Sequence, residues 1–269
     1  MASVEQAIAG EPVAATWLES DRLAALARYA ILDTPREPDF DDIARLAAEV
    51  FAAPIAVVNL VAENRQWFKA EVGIGTRELP LDVSICRHAI LQDDLMVIPD
   101  CTRDRRFAEN PLVTADGGLR FYAGAVLKTA DGLPIGTVCV LDRAARPQGI
   151  TQVQRLTLEV LARQVMTNLE LRRTLTSQRE EERRNRLILD SAVDYAIVTL
   201  DRNGVITSWN EGAARLMGWR AEEVCGQHCE IFFTPEDRAI SRAQTEMSGA
   251  LGDGHSADDR WHLRKDGSR

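Results

Sequence analysis

No stretch of this 269-residue chain is apolar for long enough to cross a membrane as a helix. The longest apolar run, PIAVVNLVA from Pro54 to Ala62, is far short of the roughly 20 residues a spanning helix needs. The opening MASVEQAIAGEPVAATW has no basic start and no continuous apolar core and does not read as a signal peptide. A cytoplasmic location, without membrane insertion, is the expectation. Positive charge is also scarce: 32 Lys and Arg stand against 41 Asp and Glu, a net charge of −9. Binding to phosphate backbones needs clustered positive charge, so nucleic acid is excluded as a partner. The five cysteines are an odd number with no paired Cys-x-x-Cys framework, and reduced thiols follow.

Catalytic signatures are missing as well. There is no Gly-rich phosphate loop and no Gly-x-Ser-x-Gly elbow, so no catalytic residue is assigned. What is present is a globular composition, 45% hydrophobic and 27% charged, with room for about two domains.

Apolar residues recur at helical spacing in TWLESDRLAALARYAIL. After the prolines of DTPREPDF the pattern resumes in DDIARLAAEVF, with Asp41 or Asp42 suited to the helix start. PIAVVNLVA and RQWFKAEVG read as two strands joined at Glu63-Asn64. SICRHAILQ reads as a short helix and LMVIPD as a short strand. RFYAGAVLKTADGLPIGTVCVLD reads as a hairpin turning at Asp131-Gly132. Hairpin-linked strands with helices at both ends predict an antiparallel sheet of the α+β class.

From Thr151 to about Ser191 the chain has no glycine or proline. A helix of that length would run about 60 Å, more than one small domain can cover. Its stripe of Leu158, Leu161, Val165, Leu169 and Leu175 is expected to pair with a second copy as a coiled coil, and a solvated terminal helix is the alternative. Beyond it, residues 195–200 and 204–209 read as a hairpin around Asn203-Gly204, and Asn210 as a helix cap. TPEDRAISRAQTEMSGAL reads as one helix from Pro235, and DRWHLRKDGSR as the start of a strand with a turn at Asp266-Gly267.

From RLAALARYAILDTP to ENPLV and again through RFYAGAVLKTADGLPIGTVCVLD, about residues 20 to 172, the chain resembles the GAF domains at the front of bacterial sensor kinases. From about residue 187, ILDSAVDYAIVTLDRNGVITSWNEGAARLMGW with RKDGSR is similar to the first two thirds of a PAS domain, without the last two sheet strands. The resulting division is a lead-in at 1–19, a GAF domain at 20–150, a signalling helix at 151–190 and a partial PAS domain at 191–269. A truncated piece of a longer receptor is the expectation.

The resemblance implies a ligand pocket in the GAF domain. Asp100 and Arg106 of DCTRDRRF and Phe121 and Tyr122 of RFY are its expected lining, with Cys86, His88 and Cys139 nearby; sheet packing and surface pairing account for the same residues equally well. Cys86 and His88, with Cys101 and Cys139, suit zinc or iron by ligand type but lack the spacing of a built site, so no metal ligand is assigned. Bilin attachment in GAF relatives uses a Cys-His pair, which does not occur, and NRQWFKAEVG only begins the cyclic-nucleotide signature. Flavin-adduct PAS relatives share Asn-Cys-Arg-Phe-Leu-Gln; GQHCEIFF has Cys229 without it. Haem relatives use a histidine in the helix that here reads DRAISRAQTEMSGAL, which has none. The cofactor stays unknown, and Trp209 and Trp219 are expected to fill the core.

The implied function is a signal-sensing input module, expected in a two-component sensor histidine kinase. It would act as a homodimer on a downstream output domain or response regulator. None of the four histidines (His88, His228, His255, His262) lies on the long helix, where such a kinase carries its phosphoacceptor. Two alternatives stay open. One is a dimerisation module without ligand; the other is an enzyme akin to free methionine sulfoxide reductases, using Cys86 or Cys139.

Overall fold

A computed structural model describes residues 17–257 and 259–269; the expected lead-in lies, up to residue 16, outside the described residues. The chain divides into two compact units, Met1–Thr176 and Ser177–Arg269. That boundary falls inside the long helix rather than at either of its ends.

In the first unit, α1 (Glu19–Ala27) and α2 (Pro38–Phe51) precede the sheet. Helix α2 starts at Pro38, earlier than Asp41 or Asp42, because the proline ring presets the helical φ at a position whose N–H needs no partner. The strands are β1 (Ile55–Val61), β2 (Arg65–Val72), β3 (Glu78–Pro80), β4 (Leu95–Ile98), β5 (Phe121–Lys128) and β6 (Pro134–Asp142). They form one antiparallel sheet in the order β3-β2-β1-β6-β5-β4. Every residue of β1 is buried, as its nearly all-apolar run predicts for a central strand covered on both faces.

Successive strand side chains take opposite faces, and two cores result. One holds Leu26, Phe40, Phe51, Leu60, Phe121 and Leu127 under α1 and α2. The other holds Phe68, Ile98, Phe107, Tyr122, Cys139 and Leu141 under the short helices α3 (Cys86–Ala89) and α4 (Pro111–Thr114).

Helix α5 (Gln152–Ser191) is 40 residues long. Leu158, Leu161, Val165 and Leu169, expected as a dimer seam, are buried in the first of those cores, against their own sheet; Leu175 is 43% exposed. A stripe at helical spacing tells which residues share a face and not what covers it. Two polar ties hold α5 there. Tyr29 Oη donates to Glu170 Oε1 at 2.6 Å, and Arg172 Nε donates to Glu37 Oε1 at 3.1 Å.

The second unit pairs β7 (Val198–Leu200) with β8 (Ile206–Trp209), followed by α6 (Glu211–Met217) and α7 (Ala221–Val224). Asn210 caps α6 as expected, its Oδ1 accepting from Ala213 N at 2.8 Å. The stretch expected as one helix is two, α8 (Pro235–Ala239) and α9 (Arg242–Asp253), separated where Ser241 takes a left-handed φ of 52°. The stretch around Trp261 makes one isolated bridge, His262 with Phe233, and no strand. The turn at Asp266-Gly267 does form, with Arg264 N donating to Ser268 O at 2.8 Å. Ile206, Trp209, Val224, Cys229 and Phe233 are the core.

Candidate functional site

On the α3–α4 side of the sheet lies a cavity of 360 Å3, within the range of about 300–1,000 Å3 common for small-molecule sites. Ile55 and Val57 of β1, Phe68 of β2 and Leu141 of β6 form its floor, and Ile85 and Cys86 one wall. Pro111, Leu112 and the segment from Ala115 to Leu119 complete the lining on the α4 side. Local bonds explain why these segments stand where they do. Asn110 caps α4 by accepting from Leu112 N at 2.9 Å, and its Nδ2 donates to Val83 O at 3.1 Å, which ties α4 to the approach to α3. At the rim, Gly73 has a φ of 80°, and a Cβ there would stand 2.1 Å from the Pro54 carbonyl oxygen, so the turn requires glycine. The Glu71 carboxylate accepts from Ile74 N and Gly75 N, both at 3.1 Å, and holds that rim.

The lining is mainly apolar with a few polar groups. Gln66 is buried, and its Oε1 accepts from Ser84 Oγ at 2.7 Å. Thr76, Asp116 and Arg143 stand at the edge, beside the Gly117-Gly118 backbone. Such a site can enclose a small, largely apolar molecule and orient it through an amide and a pair of opposite charges.

Behind the Cys86 wall is a buried cluster. Cys86 Sγ and Cys139 Sγ are 3.6 Å apart, and Tyr122 Oη donates to Cys86 Sγ at 3.5 Å. Gly124 makes this approach possible: a Cβ there would lie 2.4 Å from Tyr122 Oη and 2.8 Å from Cys139 Cβ. The Cys139 hydrogen bond lowers the Cys86 pKa against the opposing effect of burial, with Thr137, Tyr122 and Asn59 adding to the lowering. Burial pushes Cys139 well up. Asn59 and Thr137, facing each other across β1 and β6, are buried, and among the described residues neither Asn59 amide atom nor Thr137 Oγ1 has a hydrogen-bond partner of normal geometry.

Of the seven residues expected at the pocket, Cys86 lines the cavity and Cys139 and Tyr122 lie behind it. Phe121 faces the other side of the sheet, in the core under α1 and α2, with the Arg146 guanidinium 4.8 Å from its ring centroid. Adjacent strand residues cannot line one pocket. Asp100 caps a 3-10 turn, Cys101–Arg103, by accepting from Thr102 N at 3.0 Å. Arg106 pairs with Asp104 at 2.7 Å. His88 packs edge-on against Phe107 at 5.0 Å, and burial, with the charges of Arg87 and Arg106, lowers its pKa. Burial pushes the Cys101 thiol up to about 12. Among the described residues no three His, Cys, Asp or Glu side chains gather as a metal site. No helix among them is long and apolar enough to cross a membrane. Gln66, Asp116 and Arg143 were not expected at the pocket. The glycine pair after a short helix was the available signal for that wall.

The second unit has an open groove of 1120 Å3 between the end of α5 and the segment from Ser208 to Glu222. Trp209 Nε1 donates to Trp219 O at 3.0 Å, so these tryptophans pack the groove's base.

Residues 183–267 match the family model described as the PAS fold. The second unit carries the PAS fold. Along 70% of its length the chain is 36% identical to a cyclic di-GMP phosphodiesterase of Pseudomonas aeruginosa, of which it spans 32%. Along 31% it is 39% identical to two-component system protein A of Emericella nidulans, of which it spans 12%. Among solved structures it is similar to the GAF domain of a phosphoenolpyruvate-protein phosphotransferase from Coxiella burnetii. That likeness has 10% identity and a TM-score of 0.44, and covers 59% of this chain and 96% of that one. The chain is thus a mixed α+β protein whose PAS match begins within the last turns of the long helix.

Proposed function

We propose that this chain is the signal-input region of a larger signal-transduction protein, and that its first unit senses a small molecule in the 360 Å3 cavity. One observation carries the reading: the cavity floor and the α5 packing surface are opposite faces of the same strands. Val57 and Leu141 line the cavity, while Ala56, Val58 and Val140 share a core with Leu158 and Val165 of α5. A ligand that fits one arrangement of the sheet better than another shifts the population of α5 packings by its differential affinity. The kinship to proteins named for two-component signalling and for cyclic di-GMP hydrolysis supports a signalling role. A histidine kinase placed beyond this region is the output we favour.

A second copy is the proposed partner of α5. With Leu158 and Val165 committed to their own core, the opposite face presents Val153, Leu156, Val160 and Leu171, all exposed. Their spacings of three, four and eleven keep them on one face of the helix, with Gln164 and Thr167 at the intervening seam positions.

A native mass spectrum of the purified chain tests the sensing role. Extra mass on the wild type that is lost on filling the cavity with Leu119→Trp supports the reading. Bare polypeptide mass in both, with no rise in melting temperature across a small-molecule panel, overturns it.

A further inference from the structure

The buried thiols form a pair that no ligand-binding role uses. From the juxtaposition of Cys86 and Cys139 beside the cavity we infer that this pair is an oxidation site, converted by a small peroxide to an intramolecular disulfide. The inference stands apart from the small-molecule reading above.

Four observations support it. The sulfurs are already 3.6 Å apart. Cys86 is 4% exposed but lines the cavity, which gives a molecule of peroxide size a path that bulk reagents lack. Cys86 lines the cavity and Cys139 lies behind it, which makes the first the attacking thiol and the second the resolving one. Finally, the polar side-chain atoms of Asn59 and Thr137, which approach the Cys86 sulfur without a well-formed hydrogen bond among the described residues, lie in the same buried layer. Buried polar groups without partners call for an explanation, and a sulfenic acid oxygen would supply one.

The chemistry balances. The Cys86 thiolate attacks one oxygen of hydrogen peroxide, the O–O bond breaks, and the hydroxide released takes up the proton that Cys86 had lost, giving water and Cys86 sulfenic acid. The Cys139 sulfur then attacks the Cys86 sulfur, the S–O bond breaks, and the oxygen leaves as a second water with the Cys139 proton. Two thiols are oxidised to one disulfide and the peroxide is reduced to two waters.

The test treats the full chain with equimolar hydrogen peroxide, alkylates the remaining thiols after denaturation, and maps tryptic peptides. The expected product links peptides 78–87 and 129–143, which contain Cys86 and Cys139, and it disappears with dithiothreitol. Cys101 and Cys229, both buried, should be alkylated, and the exposed Cys225 serves as an ordinary surface thiol in the same sample. Cys139→Ser should stop the reaction at a dimedone-reactive Cys86, an adduct absent from the wild type. Recovery of Cys86 and Cys139 as free thiols while Cys225 is oxidised overturns the inference. So does a dimedone adduct on wild-type Cys86 without the crosslink. If Cys139→Ser does not fold, the wild-type peptide map decides alone.

Discussion

Asn210 Nδ2 donates to the Leu189 carbonyl at 3.0 Å, so the residue that caps α6 also holds the last turn of α5. The same amide donates to Ala192 O and Tyr195 O, and its oxygen accepts from Ile197 N as well as Ala213 N. One side chain therefore closes the α5 end, the entry to β7 and the start of α6.

Asn210→Ala is expected to lower the stability of the PAS segment by about 2 kcal/mol, one part a lost cap and the rest the part-buried backbone groups left unpaired. Urea unfolding followed by circular dichroism reads this. Asn210→Asp keeps the two accepted bonds and loses the three donated ones; an Asp variant as stable as the wild type would show that the ties to Leu189, Ala192 and Tyr195 contribute nothing.

Glu37 Oε1 receives both the fully buried Lys69 ammonium, at 2.5 Å, and Arg172 of α5, at 3.1 Å. Glu37→Ala leaves the buried cation, among the described residues, with Thr34 Oγ1 and the Pro35 carbonyl as acceptors. A loss of about 2 kcal/mol is expected, below the roughly 3–5 for breaking a wholly buried pair, because Glu37 is partly exposed and Lys69 keeps those two bonds. The check is the urea midpoint of the first unit, and a midpoint equal to that of the wild type refutes it.

Asp131 sits at the β5–β6 turn, where a hydrogen bond from Thr129 and another from Arg28 lower its pKa from 3.8 to about 2. A folded-state pKa below the unfolded value means that the contribution is complete above about pH 4 and fades as the pH falls through 2. Asp131→Asn should therefore flatten the stability profile between those limits. Thermal unfolding across the acid range measures it; parallel profiles for the two proteins count against the assignment.

The two faces of α5 should respond differently to charge. Leu156→Glu with Leu171→Glu, on the exposed face, is expected to leave the fold intact and convert a sedimenting dimer to monomer. Val165→Glu, in the core, should unfold the first unit at a cost of several kcal/mol. A dimer that survives the first pair of changes removes the proposed seam.

Strand and helix locations were legible because they depend on local signals. The run IAVVNLV, the Asp131-Gly132 turn and the absence of breakers from Thr151 to Ser191 each state a period or an interruption. The splitting of the helix at Ser241 was not legible, since no glycine or proline marks that left-handed residue. Nor was the cavity, whose walls join segments more than sixty residues apart, such as Ile55 and Leu119.

Composition and periodicity alone determined an α+β chain with a long helix and a net negative charge. Tertiary structure decided which side of each stripe is covered. It turned Phe121 and Tyr122 to opposite cores, gave Val165 to its own sheet, and set Cys86 against Cys139. The physical reason is that a periodic pattern specifies a face, whereas the partner of that face depends on strand pairings between residues far apart in the chain.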